Sequence, residues 1–435
     1  MLTLSGAERL LLGPAGEVTA DIHCADGVVV ADAVPGGEVL DVSGCVITPG
    51  LVNAHHHLFQ TAFRTIPDTR GVPMARWLPT MAEAYASAGT DPELGGAAAR
   101  AGLAESLLCG VTTVADHHLT WPAGLDIAST VEFADAVRRA AEELHVRLVF
   151  VRGSAKDDPY VAGESAEAIA AHWFTPDDRG VTPDGMVQLA VGPAGVHSDS
   201  KETFDALAAV AAKYGLRRRT QANEQVDVAI AQERYGRRPL ELLDEWGWLA
   251  PDVTLAHLCN VTAAEIARLA AAGVTATHAP GCDLPMGWGI APVAALLDAG
   301  IAVGLGTSGG GSNDAGHLLA DARLAMQVAP LVGRPISARE LLGVASRGGA
   351  AGLGRPELGT LEIGAAADLC VWDVTGVADA GVADPVAGLL WAAPGRRPRH
   401  VVVGGRVVVR DGALVSADEW EISRSLQKLL GERLS

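Results

Sequence analysis

Between positions 51 and 307 the sequence carries eight apolar runs of five to eight residues, nearly each followed by an amphipathic stretch of ten or more. The runs are Leu51–His57, Val111–His117, Val146–Gly153, Met186–Pro193, Leu216–Ala222, Val253–Leu258, Val274–His278 and Ile301–Thr307. Helical periodicity fills Pro92–Leu108, Val131–Leu144, Glu202–Tyr214 and Ala263–Ala271. Strands alternating with helices imply βα units in parallel pairing. Near-continuous apolar strands belong to a sheet covered on both faces. Eight such units close most simply into a (β/α)8 barrel, a TIM barrel whose chemistry lies at the C-terminal ends of its strands. Aromatic residues make up only 4%, so Ala, Val, Leu and Gly have to build the core.

Both chain ends carry β signals instead. Gly27–Val30, Val39–Val42 and Cys45–Thr48 alternate with Gly, Pro and Asp, and Leu369–Val371, His400–Val403 and Arg406–Arg410 do the same near the C-terminus. Gly404-Gly405 and Asp411-Gly412 suit tight hairpin turns. The expected division is residues 1–49 with 358–417 as a composite β-sandwich, 50–357 as the barrel and 418–435 as a C-terminal helix. Lys and Arg number 33 against 52 Asp and Glu, a balance of −19. Nucleic acid and anionic membrane are therefore not expected partners, since both need a basic face. A small-molecule substrate is. No apolar run approaches the length of a membrane span, and Met1–Gly13 lacks a basic start before an apolar stretch, so neither a span nor a secretion signal is expected. Cys24, Cys45, Cys109, Cys259, Cys282 and Cys370 are scattered without C-x-x-C. They read as buried thiols of a cytoplasmic protein.

The barrel reading says where to look for chemistry. The first strand ends in Asn53-Ala54-His55-His56-His57. Side chains i and i+2 share a strand face, so His55 and His57 point together into the barrel mouth and His56 points away. Two imidazoles so placed are half of a divalent-metal site. The second strand ends Asp116-His117-His118 and the third Arg152-Gly153-Ser154; His257 ends the sixth and His278 the seventh. The eighth runs into Thr307-Ser308-Gly309-Gly310-Gly311-Ser312-Asn313-Asp314, whose glycines could offer N–H groups to an anion.

The run Val46-Ile47-Thr48-Pro49-Gly50-Leu51-Val52-Asn53-Ala54-His55-His56-His57-Leu58-Phe59-Gln60 resembles the start of amidohydrolase-superfamily barrels. It is most similar to the branch of 8-oxoguanine deaminase and the triazine hydrolases. The likeness continues through Gly247-Trp248-Leu249-Ala250-Pro251-Asp252, Gly289-Ile290-Ala291-Pro292-Val293 and Gly309-Gly310-Gly311-Ser312-Asn313-Asp314-Ala315-Gly316. It resumes at Ala345-Ser346-Arg347-Gly348-Gly349-Ala350 and Ala367-Asp368-Leu369, and so covers the whole chain. The resemblance implies one zinc or iron held by the H-x-H pair, a fifth-strand histidine and an eighth-strand aspartate. It also implies a proton-shuttling glutamate three residues after that histidine, a sixth-strand histidine at the hydrolytic water, and a homodimer with no interface located. His55 and His57 match the pair, Glu224 the shuttle and His257 the sixth-strand residue.

Two ligand positions depart from the pattern. Gln221, in Arg219-Thr220-Gln221-Ala222-Asn223-Glu224, stands where the family has histidine, and Ser308 where it has aspartate. Amide and hydroxyl oxygens are poor zinc donors beside imidazole and carboxylate. Charge counting offers an explanation: with metal and aspartate gone, Glu224 is balanced by Arg219, which alternation places on the face of Gln221. The primary expectation is accordingly an enzyme acting on a C–N bond of a nitrogen-rich small molecule without any cofactor. Glu224, His257 and Arg219 are its catalytic residues, cyclase or lyase steps are included, and a role in specialised biosynthesis is suggested. The alternatives are one zinc at His55, His57 and His257 in a heterocycle deaminase, or a catalytically dead binding homologue. Gln60, Trp77, His117, Gln221, Asp283, Ser308 and Asn313 are the expected substrate contacts.

Overall fold

The computed structural model describes residues 1–13, 16–122, 124 and 126–435. Eight parallel strands form the expected barrel: β1 (Leu51–His57), β2 (Val111–His118), β3 (Arg147–Ser154), β4 (Val187–Pro193), β5 (Arg217–Ala222), β6 (Val253–His257), β7 (Thr275–His278) and β8 (Val303–Leu305). Neighbours pair in chain order, and Leu305 of β8 meets Asn53 of β1 to close the cylinder. A two-residue extension, Ser308–Gly309, pairs with His56 and His57. β8 is shorter than its apolar run because the chain leaves extended geometry after Leu305, with Ser308 at φ +55°. Every residue of β1, β2, β3 and β4 is buried, as a sheet covered on both faces requires.

The crossover helices begin where local chemistry allows. Asp91 accepts from the Leu94 N–H and is followed by Pro92, so Pro92–Leu108 starts on a side-chain cap with proline at its first turn. Thr262 and Glu265 form a capping box for Ala263–Ala272, which Gly273 ends in the left-handed conformation. One helix is not apparent from the sequence: Met74–Ala88, inserted between β1 and Pro92–Leu108. Pro79 inside it argues against a helix. Trp77, Met81 and Tyr85, spaced by four, are the available signal.

The chain ends make two sheets with more strands than the sequence suggested. One has the order Val28–Val30, Ile22–Ala25, Leu2–Ser5, Glu38–Asp41. In the other, Cys45–Pro49 lies antiparallel to Leu369–Asp373 with Thr48 opposite Cys370, so the two termini are interleaved in one sheet. Leu4, Leu10, Ile47, Leu369, Val371 and Val402 share its core. The 358–417 segment is not β throughout: Pro385–Trp391 is a helix packed on the barrel helix Leu318–Val332. The closing helix runs Glu419–Leu434 and Arg433 ties it to Asp91 at 2.8 Å. Beneath the barrel, buried Arg147 of β3 forms a two-pronged pair with Asp368 at 2.7 and 3.0 Å, and Asp368 also accepts from the Gly404 N–H. All six cysteines are free; Cys259 is half-buried and the other five are buried. Among the described residues no helix is long and apolar enough to cross a membrane.

Candidate active site

The register of β1 against β2 shifts between Asn53 and His56, just where the histidines begin. His55 and His57 point inward as alternation requires, with ring centroids 4.8 Å apart. His56 turns toward the end of β8, where its Nδ1 meets the Ser308 carbonyl and the Thr307 hydroxyl. The His57 Nδ1–H donates to the His117 carbonyl at 2.6 Å, which leaves its Nε2 toward the mouth. Burial holds both imidazoles neutral: His57 is lowered to about 4, and His55, with His57 beside it, falls well below the usual histidine range.

β5 and β6 bring the other half of the constellation. The His257 ring lies 5.1 Å from that of His55. Its Nδ1–H donates to Asp283 at 2.6 Å, and its Nε2 faces Glu224 Oε1 at 3.7 Å. Glu224 is wholly buried and, among the described residues, neither of its oxygens has a hydrogen-bond partner; the Nε2 atoms of His55 and His257 are likewise buried and unpartnered. Burial pushes the Glu224 carboxyl up to about 7 against the pull of His257 and His197. Burial opposes protonation of His257, and the Asp283 carboxylate beside it outweighs that and raises it. Asn223, His257, Leu258 and Ser308 all adopt positive φ. Such strain in non-glycine residues gathers at functional sites because surrounding contacts hold it in place.

Above these groups opens a cavity of about 760 Å³, within the range of small-molecule sites. His57, Gln221, His257, Ser308 and Ser312 form its polar end, and Trp77, Met81, Trp121 and Trp288 its apolar wall. Helix Met74–Ala88 supplies much of that wall. His197, which sequence reasoning missed, also lines it; burial disfavours its charge, but a 3.2 Å contact with Asp227 raises it to about 9.

Several expected substrate contacts lie elsewhere. The Asn313 amide donates to the Thr307 carbonyl and to Asp321, which locks the β8 loop and keeps it off the cavity wall. His117 lies behind His57, its Nε2–H donating to the Gly192 carbonyl at 2.9 Å. Asp283 sits behind His257, where it orients the ring. Gln60 reaches the cavity, yet its Oε1 accepts from the Gly311 N–H at 3.1 Å, so neither that oxygen nor that glycine donor is available to a ligand. Close approach accounts for the glycine at 309, where a Cβ would lie 1.9 Å from the same oxygen. Trp77 does face the cavity, anchored by an indole N–H bond to the Gly311 carbonyl at 3.1 Å. Arg219 points inward and is buried, but it donates to the Ala54 carbonyl, and no carboxylate pairs with it among the described residues. Burial lowers it to about 9. The compensation expected between Arg219 and Glu224 is not an ion pair.

A parallel barrel with an H-x-H pair on β1, a buried glutamate just after β5, a histidine ending β6 and a deep cavity above them is the frame of a barrel enzyme. The amidohydrolase family profile matches residues 46–408, and the chain belongs to that family. It is 36% identical over 402 residues to an 8-oxoguanine deaminase of Pseudomonas aeruginosa, covering 89% of this chain and 87% of that one. It is 33% identical over 411 residues to a 5-methylthioadenosine/S-adenosylhomocysteine deaminase of Halobacterium salinarum, covering 93% and 90%. Among solved structures, an atrazine chlorohydrolase from Arthrobacter aurescens TC1 complexed with zinc superposes with a TM-score of 0.90 at 36% identity, covering 99% of this chain and 100% of that one. The protein is thus an amidohydrolase-family enzyme, similar to hydrolases and deaminases. These relatives do not support the expectations of a cofactor-free pocket, of cyclase or lyase chemistry, or of a biosynthetic role. One zinc fits them better.

The ring centroid of His55 lies 4.8 Å from that of His57 and 5.1 Å from that of His257, and the Nε2 atoms of His55 and His257 are buried without a partner among the described residues.

Proposed function

We infer that the protein is a zinc-dependent deaminase of a nitrogen heterocycle: water adds at a ring carbon bearing an amino group, and ammonia leaves. The observation that carries this reading is the convergence of the unpartnered Nε2 atoms of His55 and His257 with the unpartnered Glu224 carboxylate beside the cavity. His55, His57 and His257 are the proposed ligands, with the Gln221 amide oxygen a weaker donor alongside. A bound zinc supplies Lewis acidity and lowers the pKa of a water toward about 7.

The chain's own groups do the remainder. Glu224 takes a proton from the attacking water and returns it to the leaving nitrogen, for which a pKa near neutrality is suited. Asp283 fixes the His257 tautomer so that Nε2 faces the reacting centre. Trp77 and Trp288 wall the ring and exclude water from it. Arg219, buried without a carboxylate, contributes a positive field beneath the histidines that favours a developing anion.

The test is elemental analysis of the purified full chain, paired with ammonia release from a panel of aminopurines, aminopterins and aminotriazines. One zinc per chain is expected, with turnover abolished by a chelator and restored by zinc. Undiminished ammonia release from protein without any metal would overturn the reading.

A pH dependence follows from Glu224. Its carboxyl titrates near pH 7 and accepts a proton only when ionised, so kcat/KM should fall about tenfold per unit below that point. A profile from pH 5 to 9 checks this. A limb in the ordinary glutamate range would contradict the buried, unpartnered environment of this carboxyl.

A further inference from the structure

The cavity wall that follows β3, β4 and β5 carries basic side chains that water addition does not use. Its centre is His197, in the loop after β4. The His197 side chain is nine-tenths buried, and its Nδ1–H donates to Asp227 Oδ1 at 3.2 Å. Asp227 is wholly buried in the first turn of helix Gln225–Tyr235, which Glu224 caps, and its Oδ2 accepts from the Asn223 N–H at 2.9 Å. With Nδ1 occupied, Nε2 is the ring nitrogen left for a ligand. The loop is shaped for this placement. The N–H groups of Ser198 and Asp199 both donate to the Gly195 carbonyl, and a Cβ on Gly195 would lie 2.7 Å from His197 Nδ1. Lys156 and Arg234 stand exposed at the rim, and Arg234 Nη1 donates to the His197 carbonyl at 2.9 Å. The carboxylates on this side are already engaged: Arg152 holds Asp157 at 2.7 Å, Asp158 caps helix Pro159–Trp173, and Asp199 accepts from the Ser154 hydroxyl and the Lys156 N–H.

We propose that this wall recognises an anionic oxygen substituent of the substrate, a carboxylate or a ring oxyanion, which accepts from His197 Nε2–H with Lys156 and Arg234 drawing it in from the rim. This rests on the reading of the cavity as the site of a nitrogen heterocycle, and names the group that heterocycle carries. Two physical arguments support it. A buried carboxylate against one nitrogen of an imidazole favours the doubly protonated ring, in which the other nitrogen is a donor. Burial alone would disfavour that charge, and the Asp227 contact outweighs it. Hydrogen bonds from such a cation to an anion are the strong ones, and a hydrogen bond to a charged group shifts affinity by about ten- to hundredfold. The cavity is also two-sided. Trp77, Met81 and Trp288 offer apolar surface to a ring, whereas His197 offers a donor one helical turn from Glu224. A ring lying on the indoles with its amino-bearing carbon at Glu224 therefore turns a neighbouring substituent toward His197.

The test is calorimetric titration of the full chain at neutral pH with three pyrimidines of similar size: barbiturate, a ring oxyanion; orotate, a ring carboxylate; and uncharged uracil. None carries an amino group to lose, so binding is read without turnover. Barbiturate or orotate should bind at least about tenfold more tightly than uracil, and whichever is preferred separates the oxyanion from the carboxylate. His197→Asn should abolish the preference. Asp227→Asn keeps the imidazole and removes the carboxylate behind it, and should weaken the preference. Equal affinity of the wild-type chain for all three probes, or measurable binding of none, overturns the proposal without any substitution. A preference that survives His197→Asn overturns it as well. In each of these cases the deaminase reading still stands on metal content and ammonia release. A preference found in protein that holds no zinc and releases no ammonia upholds the anion site and overturns the deaminase reading instead.

Discussion

Replacing Glu224 by glutamine is expected to lower kcat by about 10²–10⁴-fold, the usual range for removing a general acid–base group. The fold should survive. Both carboxylate oxygens are buried with no hydrogen-bond partner, so a neutral isostere removes no contact. The direction of the stability change is set by linkage. Burial raises this carboxyl to about 7, so the folded state holds the proton more tightly than the unfolded chain. Stability at this residue is thus greatest below the ordinary glutamate range and declines as pH rises toward 7. Glutamine removes that decline, and Glu224→Gln should melt no lower than wild type at pH 8 while turning over far less substrate. Steady-state ammonia release and a thermal melt on one preparation decide the matter. Retained turnover would move the proton-transfer role away from β5.

Breaking the Arg147–Asp368 pair should have the largest effect on stability. The pair is nearly inaccessible, with side-chain exposures of 6% and 2%, and it joins β3 to the interleaved sheet made by both chain ends. Removing one partner strands a buried charge, at a cost of about 3–5 kcal/mol. Asp368→Ala should cost at least as much as Arg147→Ala, because Asp368 also accepts from the Gly404 N–H, whereas the further bond of Arg147 is to the Gly185 carbonyl. Equilibrium denaturation should show a lower midpoint for each variant, and a double-mutant cycle a large coupling energy. Midpoints within experimental error of wild type would mean that the two charges are better solvated than their burial indicates. Neither variant touches the cavity, so the activity of whatever remains folded should be retained.

How much of the site was legible follows the range of the interactions. His55 and His57 could be placed together because strand alternation is local, and His257 and Glu224 because they end β6 and follow β5. Their partnerships could not. That Asp283 orients His257 depends on the turn after β7 returning toward β6, and nothing in the residues around 283 announces it. Asn313 looked like a ligand contact by residue type and loop position, yet it is consumed by Thr307 and Asp321. Gln60 followed the same course, its amide oxygen spent on the Gly311 N–H. Helix Met74–Ala88, which walls the cavity, was hidden by its internal proline although its aromatic spacing was correct.

By itself the sequence determined the barrel, its closure by eight βα units and the face on which the chemistry lies, because each of these follows from periodicity along a single strand or helix. The tertiary structure alone decided which buried groups are left without partners. That is a sum over neighbours from distant parts of the chain: the Ala54 carbonyl takes up Arg219, Asp283 takes up His257, and nothing among the described residues takes up Glu224. Hydrogen-bond satisfaction in a buried site is a property of the assembled surroundings, and no residue encodes it locally.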